Sequence, residues 1–269
     1  MVGRGQLLSR PWFVCPSIER HVIYVCIPAH NEGRTIGVLL WKIRNTLGEF
    51  SRDYRILVHN DASTDDTQAV LERYQRVLPL TLLGSQDRVG YGRSVEKLLR
   101  HVVENASYPK RDCAVILQGD FTENPDDVIS LVKMLEGGAD IVAGVTDMNG
   151  HRMPLGVKIV RSLSRWPLST IFRGAPVSDP LNGLRAYRVI VLKKALRDGP
   201  GDEPLVRTEG WAANVELLSR LVPHARRIAE VPAEVRHDLR QRESRFRPLS
   251  TLMALMKLRR RDLWPTSNP

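Results

Sequence analysis

The sequence predicts one α/β domain, a mostly parallel sheet with flanking helices, followed by a basic C-terminal tail. Three observations predict it. Short apolar, β-branched runs alternate with helical patterns from residue 22 to about residue 145. The runs at 22–27, 55–59 and 113–118 end in polar turns, where parallel sheets present their ligand-binding groups. At 269 residues and 42% apolar content, the chain can bury the core such a sheet needs.

Residues 22–27 (VIYVCI) read as a buried strand, because an unbroken apolar run suits a strand covered on both faces. The turn Pro28–Glu32 follows, then a helical pattern from about Thr35 to Leu47. A second strand at 55–59 (RILVH) leads into the turn Asn60–Asp66 and a helix from about Thr67 to Val77. Residues 80–83 form a third strand, and a helix runs from Gly92 to about Glu104. The fourth run, 113–118, ends in Gly119 and Asp120. Pro125, suited to a first helical turn, opens the next helix. A fifth strand covers 140–145. The second half is less regular. It holds a basic amphipathic stretch at 155–172, a loop entering a strand at 176–187 and a helix at 208–221. A strand at 226–235 and a last helix at about 249–260 follow.

Charged residues make up 26% of the chain, as in a folded domain rather than a disordered one. The net charge of +10 gathers near the C-terminus, at Arg236, Arg240, Arg242, Arg245, Arg247, Lys257, Arg259, Arg260 and Arg261. Such a surface suits phosphate-bearing ligands or an anionic membrane. Nucleic acid is not an expected partner, because no nucleic-acid motif accompanies the charge and aromatics, at 6%, are too few for base stacking. No apolar run reaches the ~20 residues that span a bilayer. Arg4, Arg10 and Pro11 interrupt the N-terminus, so no leader is expected. Cys15, Cys26 and Cys113 lack metal-ligand spacing. Cys26 and Cys113 fall in strands and are expected as buried thiols, which suits a cytoplasmic location.

Three strings lie at strand ends: IPAHNE (Ile27–Glu32), HNDASTDDT (His59–Thr67) and LQGDFTENPDD (Leu117–Asp127). Carboxylates there can accept hydrogen bonds from a ligand's hydroxyl or N–H groups. One or two carboxylates can also hold a hard cation. In order and placement the strings resemble glycosyltransferase family 2, whose members show an (I/V)PxxNE start, a DDxSTDxT second turn and an Asp-X-Asp metal motif. The resemblance covers at least residues 22–145 and implies a GT-A fold with inverting transfer from a GDP- or UDP-sugar. It implies a nucleotide-sugar site lined by Pro28, Ala29, Asn31, Glu32, Asp61, Gln118 and Gly119. It also implies Asp120 as the catalytic, metal-associated carboxylate, and Mg2+ or Mn2+ as cofactor. Here Gln118–Gly119–Asp120 replaces Asp-X-Asp. The Gln118 amide oxygen can still ligate a metal but brings no charge, so weaker or shifted metal dependence is expected. Asp126 and Asp127 read as first-turn helix residues favoured by the helix dipole.

PVSDPLNGLRAYR (Pro176–Arg188) resembles the (V)xDPTSGFRAYR segment of dolichol-phosphate mannose synthases and related polyprenyl-phosphate sugar synthases. AEVPAEVRHDLRQRESR (Ala229–Arg245) resembles their EVP segment with its later R-x-x-G-x-S-(K/R). Leu181–Asn182 replace Thr-Ser and Arg242 replaces a Gly, so the acceptor side has drifted more than the donor side. A phosphate acceptor calls for arginines, among them Arg152, Arg173, Arg185, Arg236, Arg240 and Arg245. The acceptor set is Asn182, Arg185, Trp211, Arg240 and Arg245. A hydroxyl acceptor would need its proton removed, with Asp179 the first candidate base and Glu209 the second. Asp179 equally reads as an Asp-Pro turn residue. Gly90–Tyr91–Gly92 reads as a turn or as a phosphate cradle, and Trp41 and Trp166 as packing residues.

The expected organisation is an N-terminal extension at 1–20, a GT-A domain at 21–240 and a basic tail at 241–269. Within the domain, the donor half covers about 21–147 and the acceptor half about 148–240. The expected acceptor is polyprenyl phosphate at the cytoplasmic membrane face, or a small soluble molecule. Leu249, Leu252, Met253, Leu255 and Met256 beside the basic residues suit peripheral membrane contact. Gln118 keeps a rival open, a non-catalytic nucleotide-sugar-binding relative. A nucleotidyltransferase would need a Gly-rich basic loop where this chain has AHNEGRT.

Overall fold

The computed structural model describes residues 21–50, 52–146, 173–199, 203–234, 248–259 and 263–264. Strand and helix alternate through the first half: β1 (Val22–Ala29), α1 (Ile36–Gly48), β2 (Asp53–Asp61), α2 (Thr67–Gln75), β3 (Leu80–Ser85), α3 (Tyr91–Asn105), β4 (Cys113–Ile116), α4 (Asp127–Glu136) and β5 (Ile141–Thr146). The second half adds β6 (Arg185–Arg188), α5 (Val189–Arg197), α6 (Trp211–Leu221), β7 (Ile228–Ala233) and α7 (Pro248–Arg259). The sequence reading lacks α5. Its opening VIVL is β-branched and directly continues a strand, so only Lys193, Lys194 and Arg197 mark it as a helix.

The strands form one seven-stranded sheet in the order β3-β2-β1-β4-β6-β5-β7. The pairings β1–β2, β1–β4, β2–β3 and β5–β7 are parallel. Strand β6 runs antiparallel to both its neighbours, β4 and β5. The sheet is therefore mostly parallel, as expected, with one reversed strand.

Side chains alternate along β1 between the two faces of the sheet. Ile23, Val25, Ile27 and Ala29 join a core with α1, α2 and α4. Tyr24 and Cys26 join the core built with α3, α5 and α6. This explains the unbroken apolar run: every β1 side chain has a covered face. A smaller cluster of Leu181, Ala212, Val215, Leu255 and Leu258 seats α7 on α6. Cys26 and Cys113 are buried free thiols, and burial pushes both thiol pKa values up, Cys113 to about 12. Trp41 corrects an expectation: it is 54% exposed on α1 instead of packed in the core. Its face of the helix also carries Val38, 56% exposed. Among the described residues, no helix is long and apolar enough to cross a membrane.

Candidate active site

Among the described residues, Asn31, Ala62 and Phe121 are the non-glycine residues with positive φ, at 50°, 50° and 62°. They sit just beyond the carboxyl ends of β1, β2 and β4, and the last two directly follow Asp61 and Asp120. Such backbone costs a non-glycine residue about 1 kcal/mol or more, and it concentrates at functional sites.

Side chains stitch the three turns together. The Asn31 N–H donates to Ser63 Oγ at 2.9 Å, and Asn31 Oδ1 accepts the Thr64 N–H at 2.7 Å. His30 Nδ1 meets the Asp61 carbonyl at 2.6 Å. The Glu32 N–H donates to Thr67 Oγ1, and the Thr35 hydroxyl lies 3.0 Å from the Gly119 carbonyl and 3.3 Å from Glu32 Oε2. A Cβ on Gly119 would lie 3.3 Å from the Pro28 carbonyl, so the β4 turn closes tightly onto the β1 turn. Ala29 and Glu32 are buried there, with Pro28 half-buried.

Asp61 is 4% exposed and holds the approach to α3: its Oδ1 accepts the Val89 N–H at 2.6 Å and its Oδ2 the Gly90 N–H at 2.9 Å. Glu209 Oε2 accepts the Gly92 N–H at 3.3 Å. Gly90, at φ 88°, thus caps α3, and the amides of Gly90 and Gly92 at the helix start meet carboxylates. Burial raises the Glu209 pKa, and the charge of Asp61 adds to the effect. His59, fully buried at the end of β2, touches Ser85 Oγ at 3.0 Å, and burial pushes its pKa down to about 4.

Asp120 is 2% exposed, and its Oδ1 accepts the Thr122 N–H and hydroxyl at 3.2 and 2.6 Å. Glu123, also 2% exposed, lies beside it. Its carboxylate accepts the Gln118 N–H at 2.8 Å and the Gln118 side-chain amide at 3.4 Å. Burial, with the charges of Asp120 and Asp127, pushes the Glu123 pKa up to about 8. Two neighbouring acids and an amide are hard oxygen donors, which fits Mg2+ or Mn2+. Among the described residues no three His, Cys, Asp or Glu side chains form a metal site by themselves. Asp120, Glu123 and the Gln118 amide could contribute oxygens to a cation whose other ligands come from a bound molecule. The sequence reading passed over Glu123, although it stands in the third string.

The second half also reaches this edge through α6, where Asn214 Oδ1 accepts the Tyr91 hydroxyl at 2.9 Å. The Asn214 amide donates to the Leu181 carbonyl, and Asn182 Nδ2 to the Gly144 carbonyl. Asp179 is half-buried, and its Oδ1 accepts the Leu181 N–H at 3.2 Å, a turn contact. Arg185 is 1% exposed, and its guanidinium donates to the carbonyls of Asn214 and Pro180 at 2.7 and 2.6 Å. It braces the loop beneath the edge. Trp211 is half-buried against the α6–α7 cluster. Arg240 and Arg245 lie outside the described residues, as do Arg152, Trp166, Arg236 and the string's end beyond Glu234.

Residues 24–196 match the profile of Glycosyl transferase family 2. An undecaprenyl-phosphate 4-deoxy-4-formamido-L-arabinose transferase of Pseudomonas fluorescens is 25% identical over 182 residues, 65% of this chain and 49% of the relative. The chain thus spans about half the length of that relative. An uncharacterized protein of Methanocaldococcus jannaschii is 24% identical over 220 residues, 80% of this chain and 82% of its own length. Among solved structures, glucosyl-3-phosphoglycerate synthase of Mycobacterium tuberculosis, bound to Mn2+, UDP and glucosyl-3-phosphoglycerate, superposes with a TM-score of 0.60 at 22% identity, covering 93% of this chain and 82% of that one. S. aureus TarS bound to UDP-GlcNAc gives 0.55 at 16% identity, covering 88% and 65%. At these identities the structural likeness is one of fold, the GT-A fold. The profile match covers more than half of the chain, and the chain belongs to glycosyl transferase family 2.

Proposed function

We propose that this chain is an inverting glycosyltransferase moving a sugar from a nucleotide diphosphate sugar to polyprenyl phosphate. The observation that carries the reading is the Asp120–Glu123–Gln118 group, set at the same sheet edge as Asp61 and flanked by three strained turns. Family membership and the arabinose-transferase relative, whose name specifies undecaprenyl phosphate, support the reaction class. Solved neighbours that hold UDP with Mn2+ or Mg2+ support the donor and the cation.

In this reading Asn31, Glu32 and Asp61 frame the nucleoside, with Pro28 and Ala29 forming the wall behind it. Asp120 and Gln118, closed in by Gly119, would hold the cation at the diphosphate. A divalent cation supplies charge neutralisation to a departing diphosphate. The acceptor phosphate is already ionised, so its oxygen attacks the anomeric carbon without a general base. Asp179 meets a turn amide and Glu209 a helix amide, which suits an acceptor that brings its own charge. On α7, Met253 and Met256 are 56% and 45% exposed beside Lys257, a surface suited to peripheral contact with an anionic cytoplasmic leaflet. A second reading, transfer to a soluble hydroxyl acceptor with Glu209 or Asp179 as base, is favoured by the exposure and raised pKa of Glu209.

The test incubates purified chain with UDP- and GDP-sugars in Mg2+, Mn2+ or EDTA, with and without a short polyprenyl phosphate. Metal-dependent transfer to the lipid, lost in Asp120→Ala, is expected. Donor hydrolysis without lipid transfer would favour the soluble acceptor. Tight donor binding with no turnover would favour a non-catalytic relative.

A further inference from the structure

We infer that Glu96 and Glu216 are positioning residues that lock segment 205–209 of the second half onto the first turn of α3 and so fix the nucleoside end of the donor site. The inference rests on the donor-site reading above. Both side chains are buried, at 2% and 1% exposure. A buried carboxylate is unfavourable unless hydrogen bonds or cations compensate it. Glu96 accepts the N–H groups of Leu205 and Val206 at 3.0 and 3.2 Å, and ion-pairs with Arg93 and Arg100, both at 2.8 Å. Glu216 Oε2 accepts the N–H groups of Arg207 and Thr208 and the Thr208 hydroxyl, each at 2.8 Å. Four consecutive amides, 205 to 208, therefore end on carboxylates from two different helices.

The next residue is Glu209, whose carboxylate accepts the Gly92 N–H. Val89 and Gly90, just before, are held by Asp61. One continuous series of amide-to-carboxylate bonds thus runs from the buried pair, through the strap, to the aspartate at the end of β2. Packing alone would already hold the strap down, since Leu205 and Val206 are 5% and 1% exposed. What the carboxylates add is direction: each amide has one acceptor in one place. This orients Glu209 and the 89–92 turn against Asp61.

The test measures UDP and GDP binding by calorimetry, with Mg2+, on full-length wild type and the variants Glu216→Gln and Thr208→Val. Thr208→Val removes a single hydroxyl bond and serves if Glu216→Gln folds poorly. Steady-state kinetics and hydrogen exchange at 205–209 accompany it. The expected result is nucleotide affinity about tenfold weaker in Glu216→Gln, equivalent to about 1.4 kcal/mol. A smaller loss is expected in Thr208→Val, with KM for the donor rising more than kcat falls. Exchange should quicken at 205–209 while the β1–β4 amides keep their protection. Faster exchange at the strap with unchanged nucleotide affinity would overturn the inference, as would faster exchange throughout the sheet. Wild type that binds neither nucleotide would sink the donor-site reading and this inference with it. Wild-type binding matched by both variants would sink this inference alone.

Discussion

Replacing Gly92 with alanine should destabilise the protein, although alanine is the better helix former. In an unobstructed helix interior the exchange would gain up to about 1 kcal/mol. Here a Cβ would lie 2.4 Å from the Thr208 carbonyl oxygen, 2.9 Å from Val206 Cγ1 and 3.2 Å from Ala213 Cβ. The nearest obstacle is backbone, and it cannot retreat freely, because the Thr208 N–H and hydroxyl are both held by Glu216. Overpacking of this kind costs about 1–3 kcal/mol. Displacing the strap also weakens a hydrogen bond to a charged group, worth about 1.5–3 kcal/mol. Set against the propensity gain, the net loss is about 1.5–5 kcal/mol. Gly48→Ala is the control, since nothing lies within 4 Å of a Cβ there. Urea denaturation should show Gly92→Ala with a lower midpoint and an unchanged slope, and Gly48→Ala at or above wild type. A neutral or stabilising Gly92→Ala would refute the close approach of strap and helix.

Arg185→Met should cost about 2–5 kcal/mol, because two buried carbonyls lose a charged donor. A thermal melt would show it, and a melt at the wild-type temperature would instead return Arg185 to the acceptor surface. Glu96 sets a pH dependence. Burial pushes its pKa up, but the Leu205 and Val206 amides with Arg100 and Arg93 outweigh burial and hold it below the usual carboxylate range. Its stabilisation is therefore complete above the unfolded value of about 4.3 and is lost as pH falls through the lower folded value. Glu96→Gln should flatten the acid limb of a stability–pH profile, and an unaltered limb would contradict the assignment.

Local patterning made much of this fold legible. The central parallel strands β1 and β4 are unbroken apolar runs because both their faces are covered, and the turns beyond β1, β2 and β4 stood out by their polar residues. Direction was not legible: nothing in RAYR says that β6 runs against its neighbours, since pairing direction depends on partners distant in sequence. The candidate residues divide in the same way. Asp120 and Asp61 could be located from their strings, but not that Asp61 would meet the amides of Val89 and Gly90. Arg185 suggested a phosphate ligand by type, whereas the fold buries it against carbonyls. Glu96 and Glu216 did carry a signal. Each is an acid within a run that the helix buries, beside Val95 and Leu98 in one case and Val215 and Leu217 in the other.

Strand β6 is only four residues long, yet among the described residues it alone links β4 to the pair β5–β7 in the sheet. β5 comes before it in the chain and β7 after, so the sequence returns to the middle of the sheet to insert it. A chimera that exchanged everything beyond residue 146 for a relative's sequence would therefore strip β5 of both its neighbours, β6 and β7, unless the donor brought matching strands. Modular swapping of the second half meets a topological lock here. Those four residues, Arg185–Arg188, tie both ends of the sheet into one inheritable unit.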